Sequence, residues 1–362
     1  MPKVSLGSIS TNHGKKCTFE YKENKAMEKK LRVGVTGAAG HLGGVLVRKL
    51  LDQGHEVVAL VQNDQRALEG LEHSIQKMFG NVTDATVMDA LVREVDVVVH
   101  AAAKIAIGVP MDITIQQVNV EGTRHLVNAC ILHGRRLIHI SSVHAFQQAP
   151  ALEVLDEQRP MVGSIGIPYD VTKAESQRLV LEACAQKGLH ALVLCPSSLI
   201  GPPDFKPSLI GQALQDMLRG KIPALFEGGF DFTDVRDVAD ACIEAIHSPL
   251  SGEVFILSGK WYSMKTLSVM LGNAAGKQIR IPELPVGLAR ILARGMEWGA
   301  RISGKTPLFT REAVDILVTG NRLTSSEKAK KALNYSPRPL ENSLTDYVQW
   351  LKHPEIKDWH KR

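Results

Sequence analysis

The sequence predicts an α/β protein, with a doubly wound parallel sheet followed by a smaller, mostly helical C-terminal substrate lobe. Three observations support this fold class. Short apolar runs alternate with stretches of helical periodicity from residue 31 onward. A glycine-rich turn separates the first apolar run from the first helical stretch. The run VDVVVHAAA (95–103) is almost wholly apolar, which is typical of a strand buried on both faces of a parallel sheet.

The first part of the chain repeats the order strand, turn, helix. LRVGVT and HEVVALV are short runs rich in β-branched residues, and the stretch between them places Leu42, Val45, Leu46 and Leu50 at helical spacing. The same alternation continues and predicts a sheet of at least six strands. In chain order the predicted elements are strand 31–36, helix 41–54, strand 55–61, strand 74–79, helix 84–94, strand 95–103, helix 113–134, strand 135–142, helix 168–188 and strand 189–197.

Beyond residue 197 the periodicity loosens and Pro and Gly become frequent. Helices are expected over 263–275, 285–302 and 309–318. We therefore expect a flexible N-terminal arm (1–30), a dinucleotide-binding domain (31–197) and a substrate-binding lobe (198–362), with elements at about 232–259 returning to the main domain.

The net charge of +5 belongs to the N-terminal arm. Residues 1–32 contain eight Lys and Arg and three Glu, so the other residues carry 35 charges of each sign. Residues 33–362, which carry no net charge, lack the basic surface that nucleic-acid binding requires.

Five scattered cysteines without a C-x-x-C pair argue against a disulfide framework and a zinc site, so no metal is expected. No secretory signal or membrane-spanning apolar run is present, which predicts a cytoplasmic protein without stable membrane insertion.

The motif TGAAGHLGG follows the first strand and opens the first helix. Gly37 permits a tight turn, Gly40 lets the backbone approach a pyrophosphate, and Gly43 allows close helix packing. The helix N-terminus adds N–H donors and the positive end of the helix dipole. In this strand–turn–helix context the motif predicts a Rossmann-type dinucleotide site.

A second motif combines Tyr169 and Lys173, which lie four residues apart on a predicted helix and so share one face. A neighbouring ammonium group favours the phenolate, which would make Tyr169 a usable acid/base near neutral pH. Ser142 ends the strand that precedes this helix, where catalytic groups of open α/β sheets collect.

These motifs occur together with several others in a fixed order. The chain resembles the extended branch of the short-chain dehydrogenases/reductases, in the NAD-dependent epimerase/dehydratase superfamily, over roughly residues 31–350. It looks most like the dihydroflavonol reductase and 3β-hydroxysteroid dehydrogenase group. The motifs that carry the resemblance are TGAAGHLGG, HAAA (100–103), NVEGT (119–123), ISSV (140–143), YDVTKAE (169–175), CPSSLIGP (195–202) and DVRDVADA (234–241).

The resemblance implies hydride transfer between nicotinamide and a ketone or secondary alcohol. Tyr169 would donate or accept the proton, Ser142 would orient the substrate oxygen, and Lys173 would bind the nicotinamide ribose and tune Tyr169. Asn119 would lie in the helix that supports the site. The further cofactor contacts that the resemblance implies are His41, Leu42, Asn81, Val82, Ala101, Ala102, Ala103, Pro196 and Ser198.

The end of the second strand bears on the choice of cofactor. NAD sites place an acidic residue there for the ribose 2′-hydroxyl, whereas NADP sites supply a cation. This chain has Gln62 at the strand end, and Asp64 and Arg66 follow later. The sequence therefore favours NADP, with Gln62 and Arg66 as contacts, and NAD stays the alternative.

The substrate-side sequence is mainly apolar and has few arginines to hold a pyrophosphate, which favours a moderately apolar small molecule. The expected substrate contacts are Lys104, His144, Phe146, Leu199 and Phe205. A nucleotide-sugar epimerase is the second hypothesis, and an NADP-binding regulator without turnover is the third. A homodimer is expected from the resemblance alone. The arginine-rich amphipathic stretch 284–302 is interpreted as a surface helix of the C-terminal lobe.

Overall fold

The structure is a computed structural model that describes residues 30–105, 113–288, 290–291 and 311–353. Residues 1–29 of the predicted arm and most of the stretch 284–302 lie outside the described residues. The strands are β1 (Arg32–Thr36), β2 (Glu56–Val61), β3 (Gln76–Phe79), β4 (Val97–His100), β5 (Arg136–Ile140), β6 (Ala191–Pro196), β7 (Ser198–Ile200), β8 (Leu225–Phe226), β9 (Gly229–Asp234), β10 (Glu253–Leu257), β11 (Lys260–Ser263) and β12 (Glu283–Leu284).

Helices follow most strands of the first half and cover the sheet on both sides. A single π-helical turn, Gln117–Glu121, joins the third helix to the fourth. The α-helices are α1 (His41–Asp52), α2 (Ala85–Arg93), α3 (Ile113–Gln116), α4 (Gly122–His133), α5 (Pro168–Lys187), α6 (Leu209–Leu218), α7 (Val235–His247), α8 (Met264–Ala275), α9 (Arg311–Thr319), α10 (Glu327–Ala332) and α11 (Leu340–Lys352).

The main sheet has seven strands in the order β10-β6-β5-β4-β1-β2-β3, and every pair is parallel. The predicted α/β class is confirmed. From β1 the chain proceeds outward to β2 and β3 and then crosses to β4 on the other side of β1. Ligands of open α/β sheets bind in the crevice beyond the carboxyl ends of the strands at such a switch point.

Successive side chains of each strand point to opposite faces of the sheet, so that two separate hydrophobic cores form, one on each face. Val33 and Val35 of β1 join a cluster with α1 and α7 on one face. Leu137 of β5 and Val193 of β6 join a cluster with α2, α4 and α5 on the other face. Because both faces are covered, the strands are apolar throughout, and this explains the unbroken run that the sequence shows at β4.

The second half of the chain contributes a separate small sheet that the sequence analysis did not predict. Its strands are ordered β11-β9-β7, and a third cluster packs below it with residues of α6, α8 and α11. β7 has only three residues and β11 only four, too few to show a clear periodicity of two. In the part of the chain that the structure describes, no helix combines the length and apolar character needed to cross a bilayer.

Candidate active site

The glycine turn between β1 and α1 is packed so closely that side chains would not fit. Gly37 has a φ of +69°, and a Cβ atom there would lie 2.7 Å from the amide nitrogen of Ala102. At Gly43 a Cβ atom would lie 2.1 Å from the carbonyl oxygen of Gly37. The turn thus lies directly against the residues that follow β4, with Ala101 N–H donating to the Thr36 carbonyl at 3.2 Å. Glycine is required at both positions.

The N-terminus of α1 fits a bound diphosphate. Gly40 is the N-cap residue and is exposed, no side chain caps this end, and the first turn holds no acidic residue. Its first N–H groups are therefore available to an anion, where the helix dipole also favours negative charge. His41 contacts the Gly201 carbonyl through Nε2 at 2.8 Å, whereas Leu42 is buried in the core below.

Ser142, Tyr169 and Lys173 come together just beyond the carboxyl end of β5. Ser142 begins a short turn after the strand, and Tyr169 and Lys173 lie one turn apart in the first half of α5. All three are buried. The Lys173 ammonium donates to the carbonyl of Ile140, the last residue of β5, at 2.8 Å. A side-chain hydrogen bond between Ser142 and Tyr169 favours the phenolate and opposes the effect of burial on the Tyr169 pKa.

Burial dominates the electrostatics of this trio. It raises the pKa of Tyr169 to about 12, and the nearby Asp170 carboxylate adds to the rise. Burial also lowers the pKa of Lys173 to about 8. The expectation that Lys173 would lower the Tyr169 pKa is wrong for this structure, because desolvation of the phenolate outweighs the favourable contacts. With this pKa, Tyr169 keeps its proton throughout the neutral pH range.

Asn119 supports the trio from the π-helical turn. Its Oδ1 accepts from the backbone N–H of Lys104 at 2.8 Å, and its Nδ2 donates to the carbonyl of Lys104 and to Oγ1 of Thr172, each at 3.1 Å. Thr172 lies between Tyr169 and Lys173 in α5. The Asn119 amide thus connects the residues after β4 to the helix that carries Tyr169 and Lys173. Such π turns are frequent at functional sites.

The end of β2 carries a small cluster of charges. Arg66 makes a two-pronged ion pair with Asp64, at 3.0 and 2.7 Å, and Lys206 lies 3.5 Å from the same carboxylate. Arg66 holds the pKa of Asp64 down at about 2. Gln62 is exposed beside this cluster. The place of Lys206 in this cluster could not be predicted from residue spacing, since 142 residues separate it from Asp64 and only the fold brings them together.

The remaining predicted cofactor contacts lie along the same edge of the sheet. Ala101, Ala102 and Ala103 follow β4, and Ala102 N–H donates to Thr36 Oγ1 at 3.3 Å. Pro196 ends β6 and Ser198 begins β7. Of the two predicted contacts that follow β3 and Gly80, Asn81 is exposed, whereas Val82 is buried beneath Gly122. Asn81 is therefore the one whose side chain is open to a ligand.

Two of the predicted substrate residues lie elsewhere. Phe146 is 2% exposed and packs in the core, where it forms a bridge with Met161. Phe205 packs edge-on against Trp350 and under the guanidinium of Arg48 on α1. The loop that holds Phe205 crosses toward β2, which is three strands from β5, or about 14 Å at the usual strand spacing. Phe146 is therefore closed off from a ligand by its burial, and Phe205 packs against Arg48 and Trp350, so the structure does not bring these two side chains together with Tyr169.

Two of the other predicted substrate residues, His144 and Lys104, contact the trio or its supporting loop. The His144 backbone N–H donates to Ser142 Oγ at 3.2 Å, and its ring meets the Tyr169 ring edge-on. Lys104 adjoins Asn119 and donates through Nζ to Thr114. Leu199 is half-buried on β7. Asp170, which the sequence analysis also missed, lies 3.2 Å from His144 Nδ1. Among the described residues there is no cluster of His, Cys, Asp and Glu that could hold a metal ion.

Known proteins share both the sequence pattern and the fold. The model of a family described as the NAD dependent epimerase/dehydratase family matches residues 33–257. Sterol demethylase protein B of Methylococcus capsulatus is 31% identical over 88% of this chain and 97% of its own length. A putative dihydroflavonol 4-reductase of Synechocystis sp. is 27% identical, over 88% and 94%. The crystal structure of gox2253 superposes with a TM-score of 0.74 at 31% identity and covers 88% of this chain and 97% of that one.

Proposed function

The chain belongs to the NAD dependent epimerase/dehydratase family of oxidoreductases, and on this basis we propose that it transfers a hydride between a nicotinamide cofactor and a ketone or secondary alcohol of a moderately apolar small molecule. One observation carries the proposal: a buried tyrosine that keeps its proton lies within hydrogen-bond range of a serine and one helical turn from a buried lysine. This combination is suited to protonating a carbonyl oxygen as its carbon is reduced.

Each residue of the site has a separate role in the proposed reaction. When bound, the nicotinamide supplies or accepts the hydride. Ser142 Oγ and the Tyr169 hydroxyl hold the substrate oxygen, and Tyr169 donates its proton to that oxygen during reduction. Lys173 binds ribose hydroxyls and adds positive charge next to the phenolate that remains. The turn at Gly37, Gly40 and Gly43 and the N-terminus of α1 hold the diphosphate.

The charge cluster at the end of β2 supports a preference for NADP. Arg66 and Lys206 together carry two positive charges against the one negative charge of Asp64, so the cluster has a net charge of +1. A 2′-phosphate would add the missing negative charge and accept hydrogen bonds from either cation. Since Asp64 is already paired twice, its carboxylate is poorly placed to accept from a ribose 2′-hydroxyl.

The rim of the site supports an apolar substrate. Ile105, after β4, is 57% exposed, and Ile113, at the start of α3, is 67% exposed. Ile105 lies shortly beyond the carboxyl end of β4, the edge of the sheet at which ligands of such folds bind, and Ile113 begins the helix that continues into the turn of Asn119. The Methylococcus capsulatus relative is named for sterol demethylation and the Synechocystis relative for reduction of a dihydroflavonol. Both names denote ring compounds with large apolar surfaces.

A turnover assay tests the proposal. Purified protein is mixed with NADPH or NADH and a panel of cyclic hydrophobic ketones, and loss of absorbance at the nicotinamide band is followed. Tyr169→Phe should reduce kcat by about 10²–10⁴-fold with little change in cofactor affinity, since it removes the proton donor and its hydrogen bond to Ser142 but keeps the ring. Tyr262→Phe, on the half-exposed strand β11, is the matched control and should remain active.

Two results would contradict the proposal. An active Tyr169→Phe variant would remove the tyrosine from the mechanism. No turnover with any ketone, combined with a tightly copurifying cofactor that is never consumed, would favour the nucleotide-sugar epimerase instead, because epimerisation returns the hydride to its substrate and leaves no net redox change.

A further inference from the structure

His144 and Asp170 form a pair at the wall of the site, beside the proposed proton donor. His144 Nδ1 lies 3.2 Å from Asp170 Oδ1. The His144 ring meets the Tyr169 ring edge-on, with ring centres 5.9 Å apart. The mechanism proposed above uses neither residue of the pair.

The two facing atoms are enclosed and turned toward each other. Nδ1 and Oδ1 are both inaccessible to solvent, and neither makes a well-aligned hydrogen bond within the described part of the chain. The side chains are 19% and 11% exposed. A buried polar atom that makes no hydrogen bond lowers the stability of the fold. The placement of these two atoms beside each other is therefore expected to serve a purpose. Asp170 in the first turn of α5 suits the helix dipole, but this does not explain why a histidine faces it.

The pair fixes which nitrogen of His144 is available to a ligand. A carboxylate beside Nδ1 favours the proton on that nitrogen, as in other aspartate–histidine pairs. The enclosed nitrogen is Nδ1, so Nε2 is on the side of the ring that retains exposure. The backbone N–H of His144 also donates to Ser142 Oγ, which holds the His144 backbone next to the serine proposed to bind the substrate oxygen.

We propose that His144, oriented by Asp170, determines substrate specificity by hydrogen-bonding a second oxygen of the substrate, carried on the carbon next to the reacting carbonyl or on a substituent of that carbon. The inference rests on the proposed reductase function. Tyr169 and His144 each reach about 3 Å to an acceptor, and their rings are adjacent, so two oxygens a few bonds apart satisfy both. The substrate class is therefore a cyclic ketone with a neighbouring oxygen substituent, such as a β-keto ester.

A matched pair of ketones tests the inference. Cyclohexanone presents only the reacting oxygen. Ethyl 2-oxocyclohexanecarboxylate, the matching β-keto ester, adds a second acceptor on the neighbouring carbon. Values of kcat and KM are measured for both with wild type, His144→Phe, His144→Gln and Asp170→Asn. His73→Gln, at an exposed position after β2, is the control.

Wild type should prefer the keto ester in kcat/KM. His144→Phe should lower kcat/KM for the keto ester by about 5–150-fold, the value of one hydrogen bond left unmade, and for cyclohexanone by less than about threefold. His144→Gln keeps a donor and should restore part of the loss. Asp170→Asn should lower the preference in the same direction by a smaller factor, and His73→Gln should change nothing. The fold of each variant is checked by its thermal midpoint and cofactor affinity.

Three results would overturn the inference while leaving the reductase in place. They are a wild type that reduces both ketones equally well, a His144→Phe variant that loses both activities by the same factor, and a variant that loses neither. If wild type reduces neither ketone nor any of the hydrophobic ketones above, the proposed function itself fails and this inference fails with it. The selectivity ratio distinguishes specificity from a structural role, because a damaged fold lowers both activities together.

Discussion

The two ends of the proposed cofactor site are built in opposite ways. At the reactive end, Ser142, Tyr169 and Lys173 are buried and are held by a strand end and a helix. At the ribose end, the side chains of Asp64, Arg66 and Lys206 are 33%, 35% and 61% exposed and follow a strand end or lie in a loop. Titratable side chains are therefore buried at the reactive end of the site and exposed to solvent at the ribose end.

This contrast separates what is fixed from what is adjustable. Burial raises the pKa of Tyr169 to about 12 and lowers the pKa of Lys173 to about 8. Exposed ion pairs such as that of Arg66 are worth about 0–1 kcal/mol, because water screens them. We infer that the chemistry is set by the core of the fold, whereas cofactor preference depends on a few surface charges that substitutions can change without loss of the fold.

The largest effect is expected at the buried end, from Lys173→Met. The variant removes the ammonium that donates to Ile140 and lies one turn from Tyr169, so kcat for ketone reduction should fall by about 10²–10⁴-fold. Lys187→Met, at the exposed end of the same helix, is the control and should retain wild-type activity. Steady-state kinetics of both variants with NADPH provide the measurement.

The pH dependence of kcat/KM for the wild type tests the same role of the Lys173 charge. Lys173 has a pKa of about 8, so the group is charged below that pH and neutral above it. If the charge assists reduction, kcat/KM should be flat at lower pH and fall as the pH rises through about 8. Tyr169, with a pKa of about 12, stays protonated throughout. A profile that is flat up to pH 10, or that rises through pH 8, would contradict a role for the lysine charge.

The sequence was most informative where packing imposes strict requirements. Gly37 and Gly43 are read correctly because close backbone contacts leave no space for a side chain. The seven parallel strands follow from apolar runs that both faces must bury. Ser142, Tyr169 and Lys173 are brought together because a strand end and the first half of the next helix must meet at the edge of the sheet.

The sequence was least informative about where loops and single side chains point. Phe146 and Phe205 were both predicted from the sequence to contact substrate. In the structure Phe146 lies in the core, whereas Phe205 packs under Arg48 near β2. Asp170 was overlooked because Tyr169 and Lys173 account for the motif around it. Its contact with His144 depends on how a turn and a helix pack, and residue spacing does not reveal this.

A middle-sized effect is expected at the exposed end, from Arg66→Ala. If Arg66 or its neighbour Lys206 binds the 2′-phosphate, the variant should bind NADPH about tenfold more weakly, the lower part of the range for hydrogen bonds to charged groups. NADH affinity should change little, so the ratio of the two dissociation constants is the informative quantity. Arg93→Ala, on the exposed surface of α2, is the control. An equal loss for both cofactors would mean that Arg66 only supports the turn.

The smallest effect is expected from Asp64→Asn, and it has the opposite sign. The substitution removes the carboxylate that now engages both Arg66 and Lys206, while the side chain keeps its size. Both cations then become free to bind a 2′-phosphate, so NADPH affinity should rise by about 1.4- to 5-fold, the value of an exposed ion pair of about 0.2–1 kcal/mol. The gain should shrink as salt is raised, because screening weakens exposed charges. Fluorescence titration with NADPH and NADH at low and high salt measures both effects. If NADH affinity falls instead and NADPH affinity does not change, then Asp64 contacts the ribose hydroxyl, and the exposed end of the site selects NAD.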